Sequence, residues 1–415
     1  VLQKFFIPLS KSTDLKVNLQ YSKTSDIPRF DRLTELKDTS LKFAEWYYGP
    51  QERLLISSQI LMNPDKNWIE KGTITTAYQN IKESRIQRKF GSLDRSYREE
   101  TVHVFSVNGD FYVPLTTDNR RKLSYGFEFT HNDVNSSSFG RTLNIVNNAI
   151  DGFSGDFKVQ SRYPDGGSTY TSAAVYVDYR QNISSKSTLN SGLRFTNTLL
   201  HANWIDDTFI VLPDSNIRAN NSAVTATLGY VLKPNKNWQL NSVLSSGFRS
   251  PNIDDVGRVR EKNGNVTVPN ILVKPEFAYN AEIGIQKYFN NKRFRVGLNT
   301  YYTLLDNYIQ RDFILDANGN KTQVVFDGEF GNAVNNQNKG TAYITGFTAN
   351  YLGKVSKNWT TSGFITYTKG KTNDTQEAMS SIPPLFGQFD INYKNDKIEV
   401  GAAIRFNKKK NIDDY

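Results

Sequence analysis

Along its whole length the chain alternates short polar turns with long polar loops, and the segments between them have a period of two. Short connections fall at 63–66, 115–120, 183–186, 233–236, 290–292, 356–357 and 394–396. Long ones fall at 25–50, 83–97, 134–167, 204–217, 250–277, 312–339 and 371–384. Within 237–249, Trp238, Leu240, Leu244 and Phe248 share one parity, while Gln239, Asn241, Ser245 and Arg249 share the other. Such alternation marks a strand with one apolar and one polar face. A soluble sandwich would show the same alternation, but it gives no reason for short turns to stay on one side through so many hairpins. A transmembrane antiparallel β-barrel does, with its short turns periplasmic. Strands are expected near 1–9, 15–22, 54–62, 68–82, 98–114, 121–133, 168–182, 187–203, 218–232, 237–249, 278–289, 293–311, 340–355, 358–370, 385–394 and 397–407. That is about sixteen strands of an all-β fold.

Composition narrows the alternatives. Hydrophobic residues are 38% of the chain, below the usual globular share, yet aromatics reach 13%. Few aliphatics with many aromatics suits strands that are apolar on one side only. No apolar run of about 18 residues exists, so no transmembrane helix is available. With no cysteine, disulfides and thiolate metal sites are excluded. The net charge of +10 comes from scattered Lys and Arg rather than from one patch. Lipopolysaccharide phosphates or an anionic substrate suit such a surface, and nucleic acid does not. Catalysis finds little footing. There are three histidines, His103, His131 and His201, all on apolar parity, and no Gly-x-Ser-x-Gly elbow. Gly370-Lys371-Thr372 lacks the preceding glycine of a phosphate loop. No enzyme, cofactor or metal site is expected.

Three short turns end in Asn-Trp, at Asn67-Trp68, Asn237-Trp238 and Asn358-Trp359. Each indole then stands on the outward parity at the periplasmic start of a strand, where barrels carry aromatic girdles. The inward parity carries Lys16, Glu128, Asp178, Arg194, Asn241, Glu282, Asn299, Asp390 and Arg405, among others, and predicts a charged, hydrated lumen. Recognition belongs to the long loops. Trp46, Tyr47 and Tyr48 offer aromatic surface, and Arg249, Arg258 and Arg260 offer cations for an anionic ligand. The loop from Asn252 to Asn270 reads as polar, turn-rich and outside the ladder, so trimming it should cost little stability.

The order of residues after Gly247 adds a resemblance. GFRSP at 247–251, Asn-Ile-Asp-Asp at 252–255, VPNILVKPE at 268–276 and AEIGIQKYF at 281–289 resemble the boxes of the TonB-dependent outer-membrane receptors. Ser250 stands where that family usually has Ala, and Val268-Pro269-Asn270-Ile271 only approximates its second box. The resemblance implies a barrel of about twenty-two strands around an N-terminal plug. The whole chain, 1–415, then reads as a partial barrel domain, with roughly three strands at each end, the plug and its coupling box lying outside it. It further implies an outer-membrane location in a Gram-negative bacterium and a TonB-type energy-coupling partner acting through the plug. A surface lipoprotein is a further partner to consider. The implied substrates are iron complexes (ferric siderophores, then haem) or cobalamin, and Asp254 and Asp255 take a structural role. Haem receptors of the family usually hold a histidine between the two boxes, and the interval 252–267 has none, which places a siderophore ahead of haem. The alternatives from another class are a passive porin and a non-transport surface β-protein or adhesin.

Overall fold

The computed structural model describes residues 1–37, 39–64, 68–210 and 215–410. Its wall consists of sixteen strands: β1 (Leu2–Ser10), β2 (Thr13–Lys23), β3 (Glu52–Met62), β4 (Lys71–Lys89), β5 (Asp94–Pro114), β6 (Arg121–Val146), β7 (Ser168–Ser184), β8 (Ser187–Asn203), β9 (Asn216–Leu232), β10 (Trp238–Arg249), β11 (Glu276–Phe289), β12 (Phe294–Phe313), β13 (Glu329–Lys354), β14 (Trp359–Thr372), β15 (Phe386–Lys394) and β16 (Glu399–Asn407). Each pairs antiparallel with the next in chain order. The continuous sheet contains twenty-two strands, but six of these are short strands in the long loops. That number therefore counts something other than the staves the resemblance implies.

The wall strands run further toward the long-loop side than the alternation predicts. β4 continues to Lys89 and β5 begins at Asp94, so the expected loop at 83–97 is a paired hairpin with a tight turn. β6 extends to Val146, and β13 begins at Glu329. The reason is a change of solvent. Beyond the membrane the outer face meets water, and where the inner face lines a polar pocket, as at Glu83–Arg88, the strand loses its apolar parity while the backbone ladder continues. At the opposite end the turns are short. The turn between β11 and β12 places Asn290, Asn291 and Lys292 successively at positive φ, a conformation Asn tolerates because its short side chain bonds locally.

The alternation itself is structural. Leu193, Phe195, Leu228, Leu244, Ile283 and Val296 all lie exposed on the outer face, as residues in contact with lipid must. Trp68 is 67% exposed and Trp359 also projects outward. Lys287 places its ammonium 4.5 Å from the Trp238 ring, a cation–π pair suited to the headgroup boundary. Asn67 of the first Asn-Trp pair lies outside the described residues, as do Asp65 and Lys66 of its turn. The histidines sit on the outer face at the upper border of the apolar rows. His103 Nδ1 lies 2.8 Å from the Tyr78 hydroxyl, and His131 Nδ1 lies 2.8 Å from Thr171 Oγ1.

The inner face divides into two zones. Around mid-wall it is polar, with Arg194 paired to Glu128, Tyr176 donating to Asp110, and Asn299 donating to Glu282. Near the long loops it is apolar. Leu200, Ala202, Ile217 and Ile309 of the wall enclose Val256, Val259, Val266 and Val273 from the loop after β10. A second cluster joins Leu305 and Ala342 to Met379 of the loop after β14. The lumen is therefore not polar throughout. The 252–270 loop is anchored by buried valines rather than free to be trimmed, and deleting it would expose an apolar cluster to water.

Candidate ligand pocket at the long-loop end

At the long-loop end, a cavity of about 130 Å³ is lined by Arg29, Arg32, Phe43, Trp46, Tyr48, Arg85, Gln87, Arg98, Arg162, Val259, Arg260, Glu261 and Phe326. Strand register decides which aromatics reach it. The short strand Phe43–Tyr48 pairs with the upper part of β4, Tyr48 opposite Arg85, Tyr47 opposite Ile86 and Trp46 opposite Gln87. Facing residues share a side, so Trp46 and Tyr48 join Arg85 and Gln87 on the inner surface. Tyr47 falls on the outer one, beside Ile86. A register shift between Phe43 and Glu45 returns Phe43 to the pocket, as the extra residue of a bulge does.

The aromatic rings carry guanidinium groups. Arg29 lies 5.0 Å from the Trp46 ring and 5.3 Å from Tyr48, whose hydroxyl it also bonds. Arg85 covers Tyr48 at 5.4 Å, and Arg98 lies 5.3 Å from Phe326. Four of the six arginines are matched by carboxylates: Arg29 with Asp31, Arg32 with Glu35, Arg85 with Glu83 and Glu100, and Arg98 with Asp327. Among the described residues, Arg162 and Arg260 have no carboxylate at ion-pair distance. The Arg162 Nε is buried without a hydrogen-bond partner. Burial, together with the nearby charges of Arg162, Arg258 and Arg32, pushes the Arg260 pKa down. A guanidinium does not give up its proton under such pressure. The pocket therefore keeps an electropositive surplus at Arg162 and Arg260.

Arg249 and Arg258 are placed differently. Arg249 pairs with Asp255 at 2.6 Å, and Arg258 pairs with Asp254. Asp255 in turn completes a capping box with Asn252 on the one-turn helix Ile253–Val256. Tyr163 donates to Asp254 at 2.8 Å, and Asn336 donates to the Asp255 carbonyl at 3.1 Å. This ring of bonds pins the residues after Pro251 against the inner wall. Of the six sequence-selected residues, Trp46, Tyr48 and Arg260 meet in the pocket, while Tyr47, Arg249 and Arg258 lie outside its lining. Arg29, Arg32, Arg85, Arg98 and Arg162 carried no local signal. They come from four separate stretches, and only the fold gathers them.

The model of the family described as TonB dependent receptor-like, beta-barrel matches residues 4–414. The chain belongs to that family. It is an outer-membrane barrel, and among its described residues no helix is long and apolar enough to cross a membrane. Solved structures share the fold. A copper transporter, OprC, superposes with a TM-score of 0.70 at 13% identity, covering 96% of this chain and 58% of its own. The ferripyoverdine receptor of Pseudomonas aeruginosa gives 0.65 at 15% identity, covering 97% and 53%. The Serratia marcescens hemophore receptor HasR, solved with its hemophore and heme, gives 0.59 at 11%, covering 98% and 70%. The chain thus spans little more than half of the first two. No curated protein matches it by sequence.

Proposed function

We propose that this receptor barrel belongs to an active importer of an anionic iron chelate, a ferric siderophore ahead of haem, which docks at the pocket formed by Trp46, Tyr48 and Arg260. A TonB-type coupling protein then drives passage to the periplasm, and no bond in the substrate is made or broken. The observation that carries this reading is the electropositive surplus at Arg260 and Arg162 beside cation-loaded aromatic rings. Cobalamin and haem fit less well. The pocket lining holds no histidine, and the Tyr48 hydroxyl is already engaged by Arg29, so an axial ligand for haem iron is lacking. A chelate whose metal is already fully coordinated asks only for cationic and aromatic contacts. Loops packed against the upper inner face favour gated transport over a passive pore.

The test is growth of an iron-starved strain expressing only this receptor, fed separately with ferric siderophores, haem and cobalamin. Replacing Arg260→Gln removes a charge-assisted contact of about 1.5–3 kcal/mol and should weaken siderophore binding by about tenfold or more. Tyr47→Ala, facing away, should leave binding unchanged. Wild-type binding by R260Q would dismiss the pocket, and growth on haem alone would dismiss the siderophore.

A further inference from the structure

The wall has a split that the fold alone does not require. β9 and β10 pair only from Thr227–Ser245 down to Leu232–Leu240. Above that point, among the described residues, the ladder between the two strands has no further paired residues. The Ala226 N–H turns instead to Ser246 Oγ at 2.9 Å. β10 remains paired with β11 up to Arg249, but the chain then turns inward, and Ser250 Oγ accepts from Thr198 and Asn221 at 2.7 and 3.1 Å on the inner face of β8 and β9. The result is a notch on the long-loop half of the wall. On the lipid side it opens into a groove of about 580 Å³ bounded by Leu228, Leu244, Tyr279, Ala281 and Tyr302. On the lumen side a second hollow of about 380 Å³ begins at the same Ala226, Thr227 and Ser246.

The chemistry along the notch is graded. Leu228, Ala226 and Val224 face hydrocarbon on the outer side of β9, and Val224 is 66% exposed. Above them come Ser222 and Asn220, both bonded by Asn197 at 2.8 Å. Arg218 follows, exposed and, among the described residues, without a carboxylate at ion-pair distance; its Nε donates to Asn216 at 3.2 Å. Unpaired backbone groups facing hydrocarbon cost several kcal/mol each unless something meets them. Hydrocarbon alone would fill the groove and leave the β9 backbone groups above Ala226 without a ladder partner, whereas water would meet those groups and wet the apolar floor. An amphiphile satisfies both. We propose that the notch is a built site for one outer-leaflet lipid, with an acyl chain in the groove, the carbonyls of its acyl linkages against the unpaired β9 edge, and an anionic head phosphate at Arg218.

The probe is a photoreactive phosphatidylglycerol carrying a diazirine near its acyl terminus, incorporated in vesicles with the receptor, followed by peptide mapping. Labelling should concentrate on the peptides bearing Leu228, Leu244 and Tyr279, above the level at the lipid-facing Val400 and Ile404, and excess unlabelled phosphatidylglycerol should compete it. Ala226→Phe, which fills the groove, should abolish the notch label and leave the Val400 label intact, showing that the barrel is still inserted. If A226F fails to insert, Ala281→Phe fills the groove from the other wall with the same expected loss. Arg218→Gln should remove the preference for phosphatidylglycerol over diacylglycerol as competitor. Notch labelling no stronger than at Val400, or unchanged in the filled variants, overturns the site. A preference that survives R218Q overturns the phosphate contact.

Discussion

The same strands have opposite polarity in two regions of this molecule. Across the membrane belt, β8 and β9 turn Leu193, Phe195, Val224 and Leu228 outward, and those side chains are exposed. A few residues further up, the same strands turn Leu200 and Ile217 inward, where they are 3% and 4% exposed. β12 repeats the reversal, with Val296 and Leu298 outside and Leu305 and Ile309 inside. Only the solvent differs. In lipid an outward Leu loses nothing, because tails are as apolar as its neighbours. Above the lipid, water meets the outer face, and apolar residues leave it only by pointing into the barrel under an inward-folded loop. A single strand therefore carries two rules, and the change between them marks the membrane border.

The largest expected effect lies on the inner side of that border. Leu200→Ala should cost about 2–5 kcal/mol and expose the loop at 250–275 to protease, while Leu199→Ala, its outward neighbour, should leave the loop protected. Equal loss of protection in the two variants would show that the reversal has no energetic content. Within the belt, Leu193→Arg should destabilise the barrel by about 2–4 kcal/mol if the site is near the midplane, read as a lower urea midpoint in vesicles. The natural Arg218, on the same face above the belt, marks where that charge is tolerated. An unchanged midpoint for L193R would place residue 193 outside hydrocarbon.

The smallest effect concerns the loop end itself. Glu329 is partly buried, which raises its pKa, but bonds from Lys89 and Lys37 outweigh burial and hold it down at about 2, against an ordinary 4.5. A depressed carboxylate contributes stability that is fully present above about 4.5 and is lost as pH falls toward about 2. The contact is partly exposed and screened, so the change is modest. The protection factors for hydrogen exchange in the segment 24–51, taken against the unstructured-chain rate at each pH, should fall between those two pH values, and Glu329→Gln should flatten that dependence. A fall that is identical in E329Q would assign it to other groups.

Much of this was legible in one dimension. Alternation of parity, three turns ending in Asn-Trp, and the asymmetry of connection lengths pointed to the barrel class and to the face that meets lipid. Each is a local or strictly periodic property, and a strand has only two faces to choose between. The boxes after Gly247 pointed to the family, and the capping ring around Asp254 and Asp255 matches the structural role expected there. The upper strand ends were not legible, because the apolar parity there is either lost, as at Glu83–Arg88, or moved to the inner face, as at Leu200 and Ile217, while pairing persists. Nor was the choice of Trp46 and Tyr48 over Tyr47, which depends on the register of a six-residue strand against β4. The arginine pocket was further still from view, since its six guanidinium groups are scattered between residues 29 and 260. Sequence determined which face of each strand is apolar. Tertiary structure decided where along the strand that preference reverses and which distant charges end up together, because both depend on what packs against the strand from elsewhere in the chain.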